Sequence, residues 1–152
     1  MGRVDTPAPM PRSLLLAVLV LAAGCAGSDA PRQDDATPAD LEVVIGQGGG
    51  VTGAWTGHRL HRDGTVERWA AAPGADRAFE PAGALEVGAV ADVWRDLEAV
   101  TRSDEVRAPG NLSRTLEITA DGRTRRSTWE PGAHAPLDDA WTRVAARLAS
   151  AR

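Results

Sequence analysis

An α+β two-layer sandwich is the fold this chain predicts, with an antiparallel sheet of about four to five strands and two amphipathic helices on one face. Three observations lead to it. Asp63-Gly64 and Asp121-Gly122 each lie between segments of strand character, which is a hairpin signal. Val90, Val93, Trp94, Leu97 and Val100 recur at helical spacing, and so do Leu137, Trp141, Val144 and Leu148. Each set lines one side of an α-helix.

The elements follow in order. Leu41 to Ile45, LEVVI, is a β-branched run that opens the domain. GQGGGVTG comes next and reads as a flexible or bulged connection between antiparallel strands, after which AWTGHRL resumes strand texture. A three-residue loop of Arg62, Asp63 and Gly64 places Leu60 opposite Val66, whereas a two-residue loop would pair Leu60 with Glu67. The facing pattern selects the longer loop. Residues 71–85 carry Pro73, Gly74, Pro81 and Gly83 and read as a loop, with Phe79 dropping into the core. In the helix that follows, Asp92, Arg95, Asp96 and Glu98 take the outer side. Beyond Pro109-Gly110-Asn111, SRTLEITA alternates and RTRRSTWE returns from the second Asp-Gly. Arg123, Arg125 and Arg126 leave that returning strand without an apolar face, so its register stays open. Pro136 opens the closing helix, which leaves Arg143 and Arg147 outside.

Ahead of the domain, Leu14 to Ala23 is an unbroken apolar run behind Arg3 and Arg12, the layout of a signal peptide. As a helix it would cover roughly 15 Å of a hydrocarbon core about 30 Å thick, too little to span it. The run closes on Leu21-Ala22-Ala23-Gly24-Cys25, which resembles the bacterial lipobox. That resemblance implies cleavage between Gly24 and Cys25 and a diacylglycerol on the Cys25 sulfur. Cys25 is the sole cysteine and has no internal partner for a disulfide. The expected division is a signal peptide over 1–24, a lipidated cysteine and disordered tether over 25–40, and one globular domain over 41–152. The tether, AGSDAPRQDDATPAD, has no large apolar residue to bury. A start at Met10 instead of Met1 would leave the same mature chain. The expected address is the cell envelope outside the cytoplasm, with membrane contact through lipid. Ala26, rather than an aspartate, follows the cysteine and favours the outer membrane.

Composition narrows the chemistry. The 152 residues carry 17 basic and 21 acidic side chains, and all the basic ones are arginine. With no lysine, Schiff-base catalysis and a lysine-bearing phosphate loop are excluded. An acidic balance argues against nucleic acid as a partner, since that binding rests on neutralising phosphates. GQGGGVTG lacks the Gly-Lys-Ser/Thr ending of a phosphate loop. His58 and His61 are three apart, which on a strand sends them to opposite faces and away from a common metal. His134 stands alone. Ser103, Ser113 and Ser127 have no nucleophile-elbow context. No catalytic residue, metal site or cofactor is therefore expected. Trp94 and Trp141 fall on helix stripes and read as core, while Trp55, Trp69 and Trp129 lie on strands and could offer a stacking surface. Arg123, Arg125 and Arg126 read as a charged, solvated strand edge.

Val43-Val44-Ile45, then Gly49-Gly50-Val51-Thr52-Gly53, a strand, a helix with the Val93 and Leu97 spacing, an Asp-Gly hairpin and a closing helix together resemble the small emfourin-type proteins. The resemblance covers about Leu41 to Arg152, and Val51 stands at the family's aromatic position. It implies inhibition of thermolysin-like metalloproteases by a non-enzymatic domain, with an envelope or secreted protease as partner. The alternative expectation is a structural or assembly accessory of the envelope without inhibitory activity.

Overall fold

The computed structural model describes Gly2 and residues 37–152. The rest of the leader, Gly24 included, together with Cys25 and most of the tether, lies outside the described residues. Among the described residues nine elements follow one another: β1 (Glu42–Gly49), β2 (Trp55–His61), β3 (Thr65–Ala71), β4 (Ala78–Ala84), α1 (Val87–Thr101), β5 (Arg107–Ala108), β6 (Leu112–Ala120), β7 (Arg123–Trp129) and α2 (Ala135–Leu148). The strands form one sheet in the order β4-β3-β2-β1-β6-β7-β5. The α+β class stands, but the sheet has seven strands rather than four or five, and it is mixed because β5 runs parallel to β7.

Both additional strands come from segments whose composition argues against a strand. Residues 78–84, AFEPAGA, contain Pro81 and Gly83, yet pair with β3 through Trp69↔Phe79 and Ala70↔Ala78. A proline is tolerated there because β4 is an edge, and a register shift opposite Val66 and Glu67 takes up the extra residue. The two-residue β5 exists because the chain from Val106 runs along β7, where Thr128 N donates to Val106 O at 2.8 Å. Nor does Phe79 enter the core. It lies on the sheet's other face, under the guanidinium of Arg59 at 3.6 Å from the ring centre.

The core sits between the helices and one face of the sheet. Val43, Ile45, Leu60, Val66, Leu116, Ile118 and Trp129 meet Val90, Val93 and Leu97 of α1 and Leu137, Val144 and Leu148 of α2. Each fully buried apolar side chain contributes at most about 1.5–3 kcal/mol. Trp94, Val100 and Trp141 pack against this cluster only in part. Arg143 and Arg147 do lie on the outer side of α2, but they are not idle there. Arg143 Nε donates to Asp96 at 2.9 Å and Arg147 reaches both Asp96 and Asp92, tying α2 to α1.

The first hairpin has the expected register, with Leu60 opposite Val66 and Gly64 at φ 91° in the loop. The second has a two-residue turn, Asp121 and Gly122, both at positive φ, which pairs Ala120 with Arg123. Such a turn matches the twist of the strands it joins. A carboxylate from the other end of the sequence secures it: Asp40 accepts from Asp121 N at 2.8 Å and Gly122 N at 2.7 Å. Those two N–H groups hold the Asp40 carboxyl below its usual range. Asp40, placed by its composition in the tether, is thus joined to the domain. Among the described residues no helix is long and apolar enough to cross a membrane.

Candidate functional site

Strand alternation sends Glu42, Val44, Gly46 and Gly48 of β1 away from the helices. Their cross-strand neighbours accompany them: His61, Arg59, Gly57 and Trp55 on β2, and Thr119, Glu117, Thr115 and Ser113 on β6. Trp69 and Glu67 join from β3, Phe79 from β4 and Arg126 from β7. Among the described residues no helix covers this face.

Its floor is built of glycine so that tryptophan can lie on it. Gly46 and Gly57 are directly paired, and Trp69 crosses them. A Cβ at Gly57 would meet Trp69 Cε2 at 2.8 Å, and one at Gly48 would meet Trp55 Cγ at 2.5 Å. Trp69 Nε1 donates to Ile45 O at 3.1 Å, which fixes the ring. The first half of the glycine run is therefore strand, since β1 extends to Gly49, and the second half is the connection, with residues 50–54 turning the chain. Trp69 is 4 % exposed. Arg77 supplies part of the cover, its guanidinium 4.7 Å from the ring centre.

Charged side chains form a lattice over this floor. Glu117, 16 % exposed, accepts from Arg77 at 3.3 Å and from Arg126 Nε at 2.7 Å. Glu67 accepts from Arg59 Nε at 2.6 Å, and His61 Nε2 lies 2.9 Å from the same oxygen. The hydrogen bond from His61, then that from Arg59, outweighs burial and holds Glu67 below the usual carboxylate range. Two clefts open between these groups. One, of about 380 Å³, is walled by the 72–75 loop, Trp55, Trp69, Arg77 and Arg126. The other, of about 520 Å³, lies between Arg59, Asp76, Phe79 and Glu117. The first has two guanidiniums and no carboxylate on its wall, while the second holds both signs. Aromatic floor, guanidinium forks and carboxylates together suit a protein or peptide surface, where planar groups stack and charges pair.

Other residues singled out in the sequence are brought to different places. His58 faces the helix side and His61 the open side. Burial lowers the His58 pKa and so favours the neutral ring. His134 is the N-cap of α2, its ring accepting from Leu137 N at 3.4 Å. Among the described residues no three His, Cys, Asp or Glu side chains gather as a metal site would require. Ser113 Oγ is engaged with the Gly110 backbone and Ser127 Oγ with Val106 N. Trp129 is wholly buried and donates to Asp138 at 3.0 Å, so it is structural rather than a stacking surface. Asp138 also accepts from Arg114 at 2.6 Å and Gly132 N at 2.7 Å. Burial raises its pKa, but these three donors prevail and leave it lowered. Of the three arginines on β7, Arg126 alone joins the open-face lattice; Arg125 donates to Ser103 O, and Arg123 is exposed.

A third cleft, of about 490 Å³, lies on the helix side between β2–β4 and α2, bounded by His58, Ala70, Trp141 and Ala145. Its charged pair, Arg68 and Glu80, is mutually bonded at 2.9 Å and well exposed. No protein-family model matches the chain, and no curated protein is similar to it.

Proposed function

We propose that the protein is a lipid-anchored component of the cell envelope whose folded domain binds another protein, with a thermolysin-like protease as the partner it restrains. The anchor rests on the apolar run that ends at Cys25. The binding role rests on one observation, the sheet face that carries Trp55, Trp69 and the Arg77–Glu117–Arg126 cluster with no helix over it among the described residues. A face needed only for stability would be expected to bury its strands under aliphatic side chains, as the helix side does. Here the chain instead spends glycines and guanidiniums on a surface that stays open to solvent. The hydroxyls of Ser113 and Ser127 are engaged with backbone groups, which supports a non-enzymatic role. The resemblance of the β1–β2 segment to emfourin-type proteins supports the choice of a protease.

Two experiments test the two halves. Palmitate labelling of producing cells should mark the wild-type protein and not Cys25→Ala; label entering the variant would refute the anchor. Purified lipidated protein in detergent should inhibit thermolysin at micromolar concentration or below. Full protease activity in that titration would leave the accessory role as the better reading.

A further inference from the structure

The 380 Å³ cleft of the open face is bounded by Trp55, Trp69, Arg77, Arg126 and the 72–75 loop, and no acidic side chain lines it. Its walls are ordered before any partner arrives. Trp69 is fixed by its indole N–H to Ile45 O, and Trp55 lies on Gly48, where a Cβ would meet its Cγ at 2.5 Å. The loop wall is a turn through Ala72, Pro73, Gly74 and Ala75, in which Ala75 N donates to Ala72 O at 3.0 Å and Gly74 has φ 74°. Proline at the second place and glycine at the third are what a type II turn selects. Pro73 is backed by Gly53, where a Cβ would meet its Cγ at 2.8 Å, so the turn between β1 and β2 supports the wall.

Charge is out of balance across this cleft. Arg77 and Arg126 line both open-face clefts and so stand between them, whereas Glu117 and Asp76 line the second cleft and not the first. One oxygen of Glu117 gathers both guanidiniums, accepting from Arg77 Nη2 at 3.3 Å and from Arg126 Nη2 at 2.6 Å. Two cations thus share one acceptor atom. Among the described residues Arg77 meets a carboxylate through Nη2 alone, which leaves its Nε and Nη1 donors for another acceptor. Its ring contact with Trp69, 4.7 Å from the centroid, holds it in place. Arg126 is 59 % exposed, so a partner can reach it.

We infer that this cleft is a carboxylate-recognition site, taking an aspartate or glutamate side chain from an acidic segment of a partner between Arg77 and Arg126 while the adjoining residue lies on Trp55. The inference rests on the protein-binding reading alone, independent of the anchor and of any protease, and names the chemistry by which the partner is recognised. Guanidinium forks match a carboxylate in geometry as well as charge, and such charge-assisted bonds are the stronger kind. Tryptophans and a turn that are already ordered lose little entropy on docking. Extended proline-containing segments dock in aromatic-lined grooves of this kind, which suits an occupant that passes across the sheet face.

The test uses the full-length protein in detergent and calorimetric titration with two peptides of equal length, both acetylated and amidated at their ends. One alternates glutamate with proline, the other glutamine with proline, so that side-chain carboxylates are the only difference. The glutamate peptide should bind at least about 10-fold more tightly, the loss expected when charge-assisted hydrogen bonds are removed. Arg126→Gln should abolish most of that preference with little change in melting temperature, because its ion pair is largely exposed. Arg102→Gln removes the same charge from the end of α1, where Arg102 pairs with Glu98, and should bind as the wild type does. Equal affinity for the two peptides would overturn the carboxylate assignment and leave the binding role standing. Equal losses in Arg126→Gln and Arg102→Gln would reduce the effect to net charge and overturn it as well. Displacement of the peptide by stoichiometric inorganic phosphate would make the cleft a small-anion site, again overturning it. Binding of neither peptide would overturn the assignment and count against the binding role too.

Discussion

The two faces of the sheet are buried by different means. On the helix side, Val43, Ile45, Leu60, Leu116 and Ile118 are covered by α1 and α2, and burial follows directly from apolar periodicity. On the open side Val44 is 2 % exposed and Trp69 4 %, values as low as those of the core, and among the described residues no helix packs on that face. Long guanidinium stems and a tryptophan lying on glycines provide the cover instead. One face is closed by the fold itself, and the other by side chains that a partner could displace or pair with.

The contrast can be broken from either side, and the core side should break harder. Leu97, fully buried in α1, faces the sheet; Leu97→Asp should unfold the domain, read as loss of a cooperative thermal transition. A wild-type melting temperature would mean that α1 is not core. On the open face Trp69→Ala should cost about 3–5 kcal/mol, as aromatic truncations in cores do, measured by urea unfolding. A cost below about 1 kcal/mol would show that the glycine-floored ring is surface decoration.

A smaller effect is expected at the seam between α2 and the sheet. Asp138→Asn removes a carboxylate that accepts from Trp129, Arg114 and Gly132, and should cost about 1–3 kcal/mol at pH 7. Because the folded-state pKa of Asp138 is lowered, its contribution is fully present above the ordinary carboxylate range. It disappears as the pH falls through the folded value. The stability gap between wild type and Asp138→Asn should accordingly narrow below about pH 4 in melting curves recorded from pH 7 to pH 3. A gap that widened on acidification would contradict that sign. Smallest of all should be Glu67→Gln, which weakens partly exposed pairs to Arg59 and His61 and should cost less than about 1 kcal/mol, less still in high salt.

The helix-packed half of the molecule was readable from the chain because its signals are local. The α1 stripe through Leu97, the α2 stripe through Val144 and the Leu60–Val66 register all follow from residues within a few positions of one another. The open half depends on residues far apart. Gly46 reads as a loop residue until Trp69, twenty-three positions later, is found lying on it. Glu117 gathers Arg77 and Arg126 from different segments, and the register of the second hairpin is supported by Asp40 from beyond the far end of β1. Residues 78–84 read as loop because Pro81 and Gly83 punctuate them; pairing with β3 overrides that local preference.

Under the proposed function, a partner docks on the open face of the sheet rather than on the helices. Hydrogen–deuterium exchange of the lipidated protein in detergent, with and without a saturating thermolysin-like protease, tests it most directly. New protection is expected over residues 49–55, 72–77 and 123–128, with the exchange of 87–101 and 135–148 unchanged. Protection confined to the two helices, with the 49–55 turn exchanging as in the free protein, would contradict it.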